Sequence, residues 1–197
     1  MNMLEETREL MSRLLRHDPI GLASLSVIGS TPATLAISVA DGEIPVPGPH
    51  IGPGHRRQIV AGVVQRMQQR RWSAYDDFLL SLPLPDDSML DALHDKHPAC
   101  VSPFECNAGW VWLLDACFDY VSELAPDADW KSSQIKEKFA GLRLYHYGDT
   151  GPDGDDIIDA AESISVHVCD ICGGIGRRRT GGWMVTRCDQ HADYVEI

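Results

Sequence analysis

Three cysteines and a histidine near the C-terminal end constrain this chain more than anything else in it. Cys169 and Cys172 stand two residues apart, and after fifteen more residues come Cys188 and His191, again two apart. Two thiolates at that spacing grip one ion, and Gly173 lets the backbone turn beneath the sulfurs. Three thiolates and an imidazole suit a borderline-soft ion in a tetrahedron, which points to Zn2+. The protein would fill all four positions and leave none for water or substrate, so the expected metal is structural. Gly173, Gly174, Gly176, Gly181 and Gly182 lie between the two pairs, and Trp183 to Thr186 offer a returning strand. A knuckle, a hairpin and a Cys-x-x-His on the first turn of a short helix together are treble-clef-like.

Two other metal chemistries fail on spacing. A zinc deaminase needs an upstream His-x-Glu or Cys-x-Glu and an open coordination position, and the chain has no such tripeptide. Taken as a calcium loop starting at Asp149, the acidic turn has Gly151 at position three and Ala160 where the bidentate glutamate belongs. That turn reads instead as a helix N-cap. His50 and His55, or His94 and His97 beside Cys100, match no established ligand spacing. The chain also lacks a nucleophile elbow, a phosphate-binding glycine loop and a paired-carboxylate pattern.

The 197 residues carry a formal charge of −12. Residues 101 to 197 hold seventeen acids against eight lysines and arginines. Such a field repels nucleic acid at long range and favours basic partners, and it also serves solubility. From Ile44 to Tyr75 there is no acid, while Arg56, Arg57, Arg66, Arg70 and Arg71 are present. A second cluster, Arg177-Arg178-Arg179, falls at the hairpin of the expected finger. Guanidinium groups in such places bind phosphates or acidic partners. Arg177, Arg178 and Arg179, with Arg56, Arg57, Arg66 and Arg70, are therefore the candidate partner-binding residues. Asp115, Asp119 and Glu123 repeat every fourth residue and read as the wet side of an amphipathic helix.

Apolar periodicity predicts helices over 3–16, 55–71, 73–82, 87–95, 108–124 with Asn107 as N-cap, 132–139, and one before the knuckle carrying Ile157, Ile158, Ala161 and Ile164. A strand pair is predicted over 22–46, turning at Asp41-Gly42, and a strand over 142–147, with Arg143, Tyr145 and Tyr147 in one row. The prolines and glycines from Gly42 to Gly54 read as a loop. The expected fold is α+β, mainly helical with short β-hairpins and a C-terminal treble-clef-like zinc finger. Its regions are 1–100 (α+β), 101–168 (helix-strand-helix) and 169–197 (zinc finger). No run is long and apolar enough to span a bilayer, Glu5 and Glu6 stand where a signal peptide is basic, and the cysteine spacing fits a reducing compartment. The expected location is cytoplasmic.

The run Gln134-Ile135-Lys136-Glu137-Lys138-Phe139, then Gly141-Leu142-Arg143-Leu144-Tyr145, Ala161-Glu162, the knuckle, Gly182-Trp183 and the last Cys-x-x-His resembles a family of small bacterial and phage-associated proteins. These couple a KEKF-G-LR-Y segment to a C-terminal Cys3His zinc finger, and the likeness covers roughly the last ninety residues. Ala140 stands where that segment carries glycine. The resemblance implies the zinc site and brings no activity with it. A phage association implies as partner a host defence or nucleic-acid-processing complex, the acidic half imitating nucleic acid. The leading expectation is thus a non-enzymatic, zinc-stabilised protein that binds another macromolecule, a protein before a nucleic acid. The alternatives are nucleic-acid binding through the arginine turn, and an enzyme with a site dispersed over His146, Asp149 and the acidic stripe.

Overall fold

The computed structural model describes residues 1–45, 54–180 and 182–194. Most of the proline-rich loop, with His50, and also Gly181 lie outside them. Asn2 accepts from the Glu5 amide while Glu5 reaches back to the Asn2 amide, a capping box that starts α1 (Met3–Leu14). Asp18 caps α2 (Pro19–Ser24). A short antiparallel pair follows, β1 (Ser26–Ile28) on β2 (Ala36–Ser38), with Val27 opposite Ile37. Its turn is not Asp41-Gly42. The chain reverses earlier, at Gly29 (φ +117°) and a single 3-10 turn over Pro32–Thr34, and the Asp41 and Gly42 carbonyls instead receive Arg57.

α3 (Arg57–Ser73) buries Ile59, Val60, Val63, Val64 and Met67, the face its periodicity predicts. It ends where a second helix was expected. Asp76 accepts the amides of Phe78 and Leu79 and pairs with Ser81, closing a turn in place of a helix over 73–82. α4 (Asp87–Lys96) starts at the Asp86 cap. β3 (Phe104–Glu105) and a 3-10 turn over Ala108–Trp110 lead into α5 (Val111–Leu124). Asn107 does not cap this helix with its side chain, which turns instead to Asp170.

Residues 132–139 are not helical. They belong to β4 (Trp130–Lys138), which pairs with β5 (Gly141–Gly148) through a two-residue turn, Phe139 and Ala140, both at positive φ. Ile135 and Phe139, four apart, imitate a helical face. Ile135 in fact faces the core, whereas Phe139 is an exposed turn residue. A bulge between Ser132 and Gln134 shifts the alternation by one, which hides the strand period from the sequence. β3 lies parallel to β4, giving the order β3-β4-β5. α6 (Gly154–Ser165) packs on β5, and β6 (Arg177–Arg179) with β7 (Val185–Arg187) forms the last hairpin. Asp153 stands at the N-cap of α6, but its side chain goes to Arg56 rather than to the helix amides.

The result is a mixed α and β fold with small sheets. Its centre is α5, packed between α3 and α6, with Trp110 and Phe118 fully buried and Phe118 stacked on Trp130 of β4. One apolar core runs from Leu10 of α1 to Val168, just ahead of the knuckle. Among the described residues no helix is long and apolar enough to cross a membrane.

Candidate metal centre

Cys169 to Gly174 fold back on themselves. The Gly173 amide donates to the Cys169 carbonyl at 2.9 Å and the Cys169 amide to the Gly174 carbonyl at 2.7 Å. Gly173 takes φ +67°, and a Cβ there would stand 2.6 Å from the Trp112 ring, so only glycine meets both the turn and the packing. The β6–β7 hairpin then carries the chain back, and Cys188 and His191 flank a 3-10 turn over Asp189–His191.

The Cys169, Cys172 and Cys188 sulfurs and a His191 ring nitrogen all lie within 4.8 Å of one another. Cys172 Sγ is 3.9 Å from Cys188 Sγ, and His191 Nδ1 is 3.7 Å from Cys169 Sγ and 3.2 Å from Cys188 Sγ. Zinc bond lengths of about 2.3 Å to sulfur and 2.0–2.1 Å to nitrogen put the edges of a tetrahedron at roughly 3.5–3.8 Å. The cluster has that size. All six cysteines are free thiols, and the 3.9 Å separation of Cys172 and Cys188 is far too long for a disulfide. The neighbouring Cys172 thiol draws the Cys169 pKa down, and the Cys172 pKa goes up in turn. Burial pushes Cys100, Cys106 and Cys117 up to about 12, which makes them inert packing groups.

The cluster is anchored to the body of the protein by groups the sequence does not advertise. Asp170, 2 % exposed, receives Asn107 at 3.0 Å and Arg187 at 3.3 Å, while its carbonyl takes the Gly109 amide at 2.8 Å. Trp110 Nε1 donates to the Val168 carbonyl at 3.0 Å. Arg71 holds the Glu6 carboxylate at 2.5 Å and reaches the Cys172 carbonyl at 3.4 Å. Thr186 donates to the Ala140 carbonyl at 2.7 Å, fixing the hairpin to the β4–β5 turn. Asp170 and Arg187 lie beside the ligand pairs in sequence, the one signal that could have marked them.

The candidate binding arginines fare differently from their sequence pattern. Arg57 is buried against Asp18, Arg56 pairs with Asp153 and Asp156, Arg66 with Glu123, and Arg70 with Asp115 and Asp119. Arg66 and Arg70 thus pair with the acidic stripe along the seam of α3 and α5, where Asp115 is largely buried while Asp119 and Glu123 stay open to solvent, as a wet face requires. Lys96 and His97 close the same seam on Asp115. His97, Asp115 and Asp119 form a second group with donor atoms within 4.8 Å, but Arg70 and Lys96 already supply its positive charge. His94 turns away to the Cys100 carbonyl, and His55 to Ser163. Arg177 and Arg179 share Asp189, while Arg178 pairs with no carboxylate among the described residues. His146 faces Asp155, and Asp149 closes its own turn on the Gly151 amide.

No protein-family model matches the chain, and neither the curated proteins nor the solved structures contain a significant match.

Proposed function

We propose that the chain is a non-enzymatic, zinc-stabilised protein that binds another macromolecule, with residues 169–194 as a treble-clef-like finger. The supporting observation is the convergence of Cys169, Cys172, Cys188 and His191 to tetrahedral spacing in a site that the protein's own donors close completely. The ligands sit at the join between the hairpin and α5, so the ion's work is to hold the finger against the core, where Trp112 and Asp170 receive it. Among the described residues, burial pushes the thiols of Cys100, Cys106 and Cys117 up to about 12, and His97 and His146 face carboxylates. What remains accessible is surface, including the arginine turn around Arg178.

The test is metal content with stability. Purified chain should carry one zinc, and chelation or Cys172→Ser should lower the melting temperature by tens of degrees, since structural zinc contributes folding free energy directly. A natively folded protein without metal, or a Cys172→Ser variant as stable as the parent, would overturn the reading.

A further inference from the structure

We infer that the outer face of the β3-β4-β5 sheet binds single-stranded nucleic acid. The inference deepens the reading of the chain as a binding protein, but on a surface other than the arginine turn. The chain has only four lysines, and three of them, Lys131, Lys136 and Lys138, lie in one row of β4. The inner row, Trp130, Ser132 and Ile135, is buried against the helices. Across the ladder, Lys131 opposes Tyr147, Gln134 opposes Tyr145, and Lys136 opposes Arg143. The bulge at Ser133 creates this pairing, for without the extra residue the two lysines beyond it would point into the core.

Two features of this face match a single strand. Tyr145 and Tyr147 are 42 % and 60 % exposed, neighbours in one row of one strand, and therefore about 6.5–7 Å apart. That is close to the step of an extended nucleotide chain, and rings so placed are platforms for successive bases. Beside them stand cations in a chain whose other positive groups are mostly paired. Lys131, Lys136 and Lys138 make no ion pair among the described residues, and Lys136 Nζ lies 5.3 Å from the Tyr145 ring centroid. The neighbouring carboxylates are engaged: Glu162 by Arg143 and the Leu144 amide, Glu137 by the Ala140 amide and Trp183, Glu105 by Gln134. The overall negative charge acts at long range and is screened beyond about 8–10 Å at physiological salt, so contacts at the sheet are decided by the groups on it. A duplex, with its bases already stacked, has nothing to offer the two rings.

The experiment is fluorescence anisotropy of the zinc-loaded full chain with labelled oligo-dT and oligo-U of about ten nucleotides. Binding should weaken with salt and should fall about tenfold to a hundredfold in Tyr145→Leu/Tyr147→Leu, which keeps strand-compatible apolar bulk but removes the rings. Lys136→Gln/Lys138→Gln should lower the slope of log K against log salt by about 1.4. Arg16→Gln, which removes an exposed cation just beyond α1, should leave binding unchanged. The DNA and RNA arms show which single strand is preferred, and binding of either supports the inference. Absence of binding at low salt, undiminished binding by the tyrosine variant, equal affinity for duplex, or full competition by polyglutamate would each overturn it. Zinc content and melting curve are read on the same samples, so an intact metalloprotein that ignores oligonucleotides counts against this inference alone.

Discussion

Arg57 illustrates how far a residue's surroundings can depart from its sequence context. It stands in an acid-free stretch and reads as an outward cation, yet its side chain is only 7 % exposed and clasps Asp18 through two hydrogen bonds, with Nε at 2.5 Å and Nη2 at 2.9 Å. The partner is 39 residues earlier, beyond the reach of any local pattern. Asp18 is held below the usual carboxylate range, first by that guanidinium and, against the opposing effect of burial, also by the Gly21 amide. Removing one member of such a pair strands the other charge in the interior. Arg57→Ala should therefore cost about 3–5 kcal/mol in urea unfolding, whereas Arg178→Ala, on the exposed turn, should stay within about 0.5 kcal/mol of the parent.

Between elements, the seam of α3 and α5 depends on pH in a calculable direction. Asp115 is pushed up by burial, but His97, Lys96 and the charge of Arg70 outweigh this and hold its carboxyl near 2, against 3.8 for the free group. Facing it are Arg70 from α3, Lys96 and His97 from the end of α4, and Asp119 from its own helix. Since the folded value is the lower one, the stabilisation is complete above about pH 4 and disappears as the pH falls towards about 2, a contribution of roughly 2 kcal/mol. The stability gap between the parent and Asp115→Asn should thus narrow between about pH 4 and pH 2, and a gap that stays constant would assign the effect to packing alone. The comparison cancels acid loss of the metal, which both proteins share.

The same scale shows what the sequence discloses. α1, α3, α4, α5 and α6 are legible because each buries one stripe at helical period and most have a cap or a proline to mark an end. The convergence of Cys169, Cys172, Cys188 and His191 is legible because their paired spacing is that of metal ligands. β4 is not, because its bulge breaks the strand period just where Ile135 and Phe139 mimic a helical one. The acid and arginine faces are each legible, but their union is not, since pairing across α3 and α5 is set by packing of elements 45 or more residues apart. Ala140 is instructive: it takes φ +68°, a left-handed conformation that the sequence, with alanine there, does not signal.

For the molecule as a whole, the Cys3His cluster and the helical core are packed directly together. Gly173 marks the junction, with Trp112 against its Cα and no room for a side chain. Gly173→Ala must strain a left-handed backbone and displace the ring, so it should cost about 1–3 kcal/mol in thermal or urea unfolding. It should also weaken zinc retention against a competing chelator, although no ligand has changed. Zinc retention equal to the parent would show that the finger holds its ion independently of the core.

Arg13 donates to the Gly176 carbonyl at 3.0 Å across 163 residues of sequence, and Arg71 ties Glu6 of α1 to the Cys172 backbone. A ribosome releases α1 before the segment it packs on, so α1 waits for partners that emerge up to 163 residues later. Translation halted before Cys169 leaves α1 without those contacts and Trp112 without the knuckle that covers it.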